Sequence, residues 1–281
     1  MSRQLRCAAI HDISCFGKCS LTVALPVLSA GGIECCCIPT AILSTHTGGF
    51  RGYTYRDLTD DIIPIARHWR SEGIALDAFY TGYLGSPSQV EIVRKVFHML
   101  DPDGEALRLV DPVMGDNGRL YSGFAPDFPV LMRELVREAD VICPNITEAA
   151  LLTDSDYRDG VHPEDYIREL VEKLADLGAK RIVLTGVQLC DGELGAAVFE
   201  GGDTEFVSSR RVDGMYHGTG DVYASVLLTC LLNSRSLRDS AEFACRFTAK
   251  CVEVTKATMP DVNYGVRFEA VLPELMREIE L

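Results

Sequence analysis

Short apolar, largely β-branched runs alternate with amphipathic stretches along the whole 281-residue chain. No other feature restricts its fold as strongly. The apolar runs fall at 6–11, 33–39, 78–81, 107–110, 141–143 and 181–185. Their near-continuous apolarity suits strands covered on both faces, as in a parallel sheet. Between and after them the spacing predicts helices over 18–30, 57–71, 88–100, 126–138, 163–177, 217–233 and 237–255. In the 163–177 stretch, Ile167, Leu170, Val171 and Leu174 recur at helical spacing, and Gly178 follows as a stop. This alternation implies right-handed crossovers and an α/β, doubly wound, mostly parallel sheet with helices on both faces. The pair 194–199 and 205–208, separated by Gly201-Gly202-Asp203, reads instead as an antiparallel hairpin. With no internal repeat and no linker, the expectation is one domain over 1–281.

Composition excludes several function classes. The formal charge of −14 argues against non-specific binding to nucleic acid or anionic membrane, although a local cradle for a nucleotide remains compatible with it. No apolar run approaches the ~18 residues of a membrane span, and the start of the sequence leads into a strand rather than a signal-peptide core. Eleven cysteines, an odd number with no Cys-x-x-Cys pair, argue against a disulfide framework or a zinc site. Cys35-Cys36-Cys37 reads as core filler in a reducing, cytoplasmic setting.

In open sheets of this kind, ligands bind beyond the carboxyl ends of the strands. Asp12 follows the first run, Thr45-His46-Thr47-Gly48 the second and Tyr83 the third. Asp111 follows the fourth, Asn145 the fifth and Thr185-Gly186 the sixth. The most informative segment lies later, at Gly218-Thr219-Gly220-Asp221 before a small and apolar helix. Its two glycines let successive N–H groups converge on one point, and the helix N-terminus adds positive partial charge there. A carboxylate beside an anion cradle suits removing a proton from a hydroxyl that attacks a phosphoryl group. The segment therefore points to a kinase, with Asp221 as base and Gly218, Thr219 and Gly220 supplying the anion loop.

The remaining constellations have structural and functional readings side by side. In Asp111-Pro112-Val113-Met114-Gly115-Asp116-Asn117-Gly118, Asn117-Gly118 is a turn, whereas a strand-end Asp111 suits Mg²⁺ held between phosphate oxygens. In Asn145-Ile146-Thr147-Glu148, Thr147 can cap a helix and Glu148 complements its dipole. Asn145 and Glu148 equally suit the water shell of a metal. His46 faces either a flat aromatic ligand or solvent, Tyr83 suits pocket or packing, and His217 reads as an exposed cap-region residue. Val212 and the helix around 252–256 are placed near an adenine by their proximity to the cradle alone.

Gly-x-x-x-x-Gly-Lys-Ser/Thr, Gly-x-Gly-x-x-Gly after the first strand and Gly-x-Ser-x-Gly do not occur, which argues against a P-loop, a dinucleotide-binding module and a serine hydrolase. The late Gly218-Thr219-Gly220-Asp221 with Asn145-x-x-Glu148 upstream resembles the ribokinase superfamily. Thr81-Gly82-Tyr83-Leu84-Gly85-Ser86, the Asp111–Asp116 segment, Phe16-Gly17 followed by Ser20, and Ser44-Thr45-His46-Thr47 resemble its pyridoxal kinase branch. The match spans nearly the whole chain. It implies a ribokinase-like fold and ATP-dependent phosphorylation of the 5′-hydroxymethyl group of pyridoxal, pyridoxamine or pyridoxine. Mg²⁺, often K⁺, and a homodimer are implied with it.

By the same resemblance, Asp111, Asp116, Asn145 and Glu148 serve the metal and the ATP phosphates, with Asp111 and Glu148 nearest the metal. Thr185 contacts phosphate, Tyr121 closes over the nucleotide, and His46, Thr47 and Tyr83 line the pyridine pocket. Asp12 departs from the pattern, because the better-known pyridoxal kinases carry a small hydroxyl residue there. An acid at that place suits a protonated ring nitrogen, an amine or hydroxyls, and it leaves the preferred vitamer open. A hydroxymethylpyrimidine or other small-alcohol kinase of the same superfamily is the alternative, and a non-catalytic ligand-binding protein is a third possibility.

Overall fold

The computed structural model describes residues 3–214, 216–259 and 264–280. Its main sheet contains β1 (Arg6–Ser14), β2 (Glu34–Leu43), β3 (Tyr55–Asp57), β4 (Ala78–Thr81), β5 (Leu107–Val110), β8 (Val141–Ile142), β9 (Ile182–Val187), β10 (Glu193–Glu200) and β11 (Asp203–Arg210). The strand order is β11-β10-β9-β8-β5-β4-β1-β2-β3. The six strands from β2 to β9 run parallel, β3 pairs antiparallel with β2, and β10 and β11 form the expected hairpin antiparallel to β9. A separate two-stranded ribbon consists of β6 (Gly115–Asp116) and β7 (Arg119–Leu120).

Strand residues alternate between two cores, which explains why the central runs are apolar throughout. Cys7, Ala78, Tyr80, Leu109, Val141 and Val183 face one core. There they meet α1 (Leu21–Ala30), α7 (Thr219–Leu232) and α8 (Leu237–Thr258). Ala8, Ile10, Phe79, Val110, Ile142 and Leu184 face the other core. That face is covered by α2 (Thr59–Ser71), α3 (Pro87–Leu100), α4 (Phe128–Glu138), α5 (Ile146–Thr153) and α6 (Glu164–Asp176). Helix α7 is apolar on every side because it is wedged between α1, α8 and the sheet.

Several boundaries differ from the sequence reading, each for a local reason. β1 continues past residue 11 because Ile13 and Ser14 pair with Ile42 and Leu43 across a register shift, so Asp12 lies inside the strand at a bulge. α1 starts at Leu21 rather than at 18, because Gly17 (φ 97°) and Ser20 (φ 55°) cannot continue a helix. α2 starts two residues later than 57, because Asp57 ends β3 and accepts a hydrogen bond from Thr59 N at 2.7 Å. Strands β3, β6 and β7, the 3₁₀ turn Phe268–Ala270 and α9 (Leu272–Glu278) were not expected. Such elements are too short to carry a period. Cys35, Cys36 and Cys37 are all half-buried, since β3 pairs only with Ala41–Leu43 and leaves their end of β2 at the sheet edge; Cys35 packs against the first core as expected, whereas Cys36 and Cys37 belong to neither core. All eleven cysteines are free thiols.

Fully buried Gln89 binds three segments next to the cleft. Its Oε1 accepts from Gly85 N at 2.8 Å, while its Nε2 donates to Thr40 O at 3.0 Å and Thr59 Oγ1 at 2.9 Å. Thr40 Oγ1 donates in turn to Tyr83 O at 3.3 Å, so Gln89 holds the loop that presents Tyr83. Gln89→Leu should therefore cost on the order of 3 kcal/mol, because it orphans buried backbone groups on two segments. Urea denaturation should show a lower midpoint with an unchanged slope.

Candidate active site

The carboxyl ends of the parallel strands and the N-terminus of α7 converge on one cleft. Gly218 has φ 77°, and a Cβ there would lie 1.9 Å from Lys18 O, so only glycine fits. The helix begins at Thr219, two residues later than the sequence suggested, with Thr219 Oγ1 donating to Tyr216 O at 3.3 Å. Gly220 plays a different part. Already helical, it has nothing within 4 Å of its would-be Cβ, so its bare backbone faces open space. Backbone N–H groups of the first α7 turn are orphan donors and form an anion-binding end.

Asp221 stands in that first turn, partly exposed. Burial, reinforced by the charge of Asp12, pushes its carboxyl up to about 7, while the N–H of Ser20 opposes the shift. Two further acids lie nearby. Glu148 is buried; its Oε1 accepts from Met114 N at 3.1 Å and its Oε2 from Asn145 N at 2.9 Å. Asn145 Oδ1 accepts from Glu148 N at 2.9 Å, which closes a capping box. Desolvation nevertheless pushes Glu148 up to about 8. Asp111 is also buried, and burial followed by Glu148 and Asp221 raises its proton affinity strongly.

The cap of α5 is thus Asn145 and not Thr147. Thr147 Oγ1 accepts from Gly118 N at 2.9 Å and holds the β6–β7 ribbon, whose Asn117 (φ 52°) and Gly118 (φ 73°) form the expected turn. Asp116, on that ribbon, is exposed and accepts from Asn117 N at 2.8 Å, and its charge still helps to raise the proton affinity of Glu148. Tyr121 follows the ribbon, 41% exposed. Burial and then Glu148, Asp116, Asp111 and Asp221 raise the pKa of its hydroxyl, which places it at the acid cluster. Thr185, inside β9 rather than after it, donates through Oγ1 to Pro144 O at 3.3 Å and bridges to Asn145.

At the other end of the cleft, Asp12 is 4% exposed. Its Oδ1 accepts from Ser20 Oγ at 2.5 Å and its Oδ2 from Ser14 Oγ at 3.3 Å. Burial raises its pKa against those two hydrogen bonds. His46 is buried; Nδ1 accepts from Gly48 N at 3.1 Å, which puts the proton of the neutral ring on Nε2. Nε2 has no partner among the described residues. The ring meets Phe50 at 4.9 Å and His217 at 5.0 Å between centroids, and burial followed by His217 lowers its pKa. Tyr83 lies 5.6 Å from Phe124, its hydroxyl pushed up to about 12 by burial, then by Tyr55 and Asp12. Thr47 is exposed and makes no side-chain hydrogen bond to the described residues.

His217 is a correction to the sequence reading: it is half-buried against His46, and a Cβ on Gly48 would strike its ring at 2.4 Å. Tyr55, Phe50, Ser14 and Ser20 were missed as cleft residues. Only Ser20 carried a signal, as part of the segment after Phe16-Gly17. Between the end of β11 and α8, Arg210, Arg211, Val212, Asp213, Arg246 and Lys256 help to line a cavity of about 410 Å³. Val212 and the end of α8 are therefore brought together.

No ion pair joins Asp12, Asp111, Glu148 or Asp221 to a cation among the described residues, and Lys18 is bound to Glu269 at 2.7 Å. Nor does any cluster of three or more His, Cys, Asp or Glu form a ready-made metal cage among those residues. Asp111 accepts no hydrogen bond from them, so a buried carboxylate lacks any protein counter-charge. That donor set fits Mg²⁺, which is commonly held by one or two carboxylates together with water and substrate phosphates.

An open sheet with antiparallel edges, an anion loop late in the chain and an acid in the next helical turn define the ribokinase-like fold class. The family model described as phosphomethylpyrimidine kinase matches residues 24–266, and the chain belongs to that family. Pyridoxal kinase PdxY of Rubrobacter xylanophilus is 30% identical over 252 residues, 84% of this chain and 82% of the relative. The same-named protein of Granulibacter bethesdensis is 28% identical over 249 residues, 84% of this chain and 85% of its own. The crystal structure of pyridoxal kinase from Lactobacillus plantarum superposes with a TM-score of 0.90 at 32% identity, covering 99% of both chains.

Gly218→Ala should displace the Lys18 segment and lower kinase turnover roughly 10²–10³-fold. Gly220→Ala should leave thermal stability unchanged, because a methyl there meets no protein atom. Asp221 also links stability to pH. Its folded-state pKa of about 7 exceeds the ordinary value of 3.8, so its contribution is full below the ordinary value and lost as pH rises through about 7. Asp221→Asn should therefore raise the Tm of the ligand-free protein at about pH 8, and the gain should shrink at about pH 5.

Proposed function

We propose that this chain is a pyridoxal kinase, transferring the γ-phosphoryl of ATP to the 5′-hydroxymethyl group of a B6 vitamer. The observation that carries this reading is Asp221, poised near neutrality in the first turn of α7 between the anion-binding N–H groups and the Asp12–Tyr83–His46 end of the cleft. An acid with a proton affinity near the working pH both accepts and releases a proton readily. Asp221 takes the proton from the acceptor hydroxyl as its oxygen attacks. The N–H groups after Gly218 stabilise charge on the transferring group without reorganising. Tyr83 and His46 present flat faces for an aromatic acceptor, and Asp12 offers an anionic contact to its polar edge. Thr185 and Asn145 lie on the phosphate side.

Mg²⁺ is the metal of this reading: held through Asp111 and Glu148, it would neutralise phosphate charge and offset the burial of those acids. The cavity beside α8, rich in Arg and Lys, supports a nucleotide on that side. The reading extends to a homodimer in a cytoplasmic setting; no helix among the described residues is long and apolar enough to cross a membrane.

A second reading, a kinase for hydroxymethylpyrimidine, is favoured by the description of the matching family itself. A coupled ADP-release assay on pyridoxal, pyridoxamine, pyridoxine, hydroxymethylpyrimidine and simple sugars separates the two. The first reading expects a vitamer to be the best acceptor, with Asp221→Asn reducing its turnover ~10²–10⁴-fold in a folded protein. Turnover of the pyrimidine or a sugar alone would overturn it.

A further inference from the structure

One buried residue holds Asp12 from the start of α1. Ser20 is 6% exposed and has φ 55° and ψ −130°, a conformation strained for a residue with a side chain. Its surroundings hold it there. Ser20 O accepts from Val23 N at 3.0 Å and Ala24 N at 2.9 Å at the start of α1, and the residue bridges to Ile13 of β1. In this conformation Ser20 Oγ donates to Asp12 Oδ1 at 2.5 Å. A relaxed helical or extended backbone at this place would turn the hydroxyl away from Asp12.

We propose that Ser20 is a positioning residue that fixes Asp12, so that recognition of the acceptor depends on a single strained junction at the start of α1. This rests on the reading of Asp12 given above. Ser20→Gly removes the hydroxyl, keeps the amide and accepts the backbone angles without strain. Ser20→Ala removes the same hydroxyl but keeps a Cβ in the strained conformation.

The test uses pyridoxine binding followed by fluorescence without nucleotide, steady-state kinetics with pyridoxine, and thermal melts. Ser20→Gly and Ser20→Ala should each weaken binding and raise KM about tenfold, the loss of a hydrogen bond to a charged acceptor. The decrease in kcat should be much smaller, since Asp221 and the anion loop are left as they are. In an Asp12→Asn background the Ser20→Gly change should add less than about a twofold further effect, because it acts through Asp12. The Tm of Ser20→Gly should equal or exceed that of Ser20→Ala.

Wild-type KM in both variants, or independent costs in the double variant, would overturn the positioning role while leaving the kinase reading intact. A wild-type enzyme that phosphorylates no vitamer would overturn both.

Discussion

The cleft is organised around buried negative charge that the protein itself does not neutralise. Asp111 and Glu148 are buried at the ends of the sheet, Asp221 lies in the first turn of α7, and no lysine or arginine among the described residues pairs with them. Desolvation raises the proton affinity of all three. Such a cluster costs folding free energy, and it persists because the rest of the fold over-determines it. The capping box fixes Glu148, the end of β5 fixes Asp111, and the wedge of α7 between α1 and α8 fixes Asp221. What is missing from the acids is supplied in part by the oriented amides opposite them, the arrangement a polyanionic donor with a divalent cation would complete.

This accounts for the division of labour between the glycines. Gly218 is a packing requirement, since its Cβ would enter the Lys18 carbonyl, and the Lys18 segment leads directly to Ser20 and Asp12. The backbone from Asp12 to Ser20 thus ties the acceptor end of the cleft to the start of α7. Gly220 is a requirement of access, because the space in front of it is open. Two glycines in one tripeptide therefore answer to different physical demands.

Much of the fold was legible because the sheet is covered on both faces. Runs such as 78–81 and 107–110 are mostly apolar because they separate two cores, and both were placed to the residue. The site residues at strand ends were legible for the same topological reason. Boundaries failed where one backbone angle decided them, as at Ser20 before α1 and Asn145 before α5. Tyr55, Phe50 and His217 were not legible as a pocket wall, since nothing local in a three-residue edge strand or a loop announces which distant ring it will face. Asp12 showed its departure from the family pattern at once, but not that two serines already hold its oxygens.

The most direct test of this account is a crystal structure with Mg²⁺, a non-hydrolysable ATP analogue and pyridoxine bound together. The account expects a carboxylate oxygen of Asp221 within hydrogen-bond reach of the acceptor hydroxyl, and the terminal phosphate on the N–H groups that follow Gly218. A terminal phosphate seated elsewhere, or an acceptor hydroxyl beyond the reach of Asp221, would contradict it.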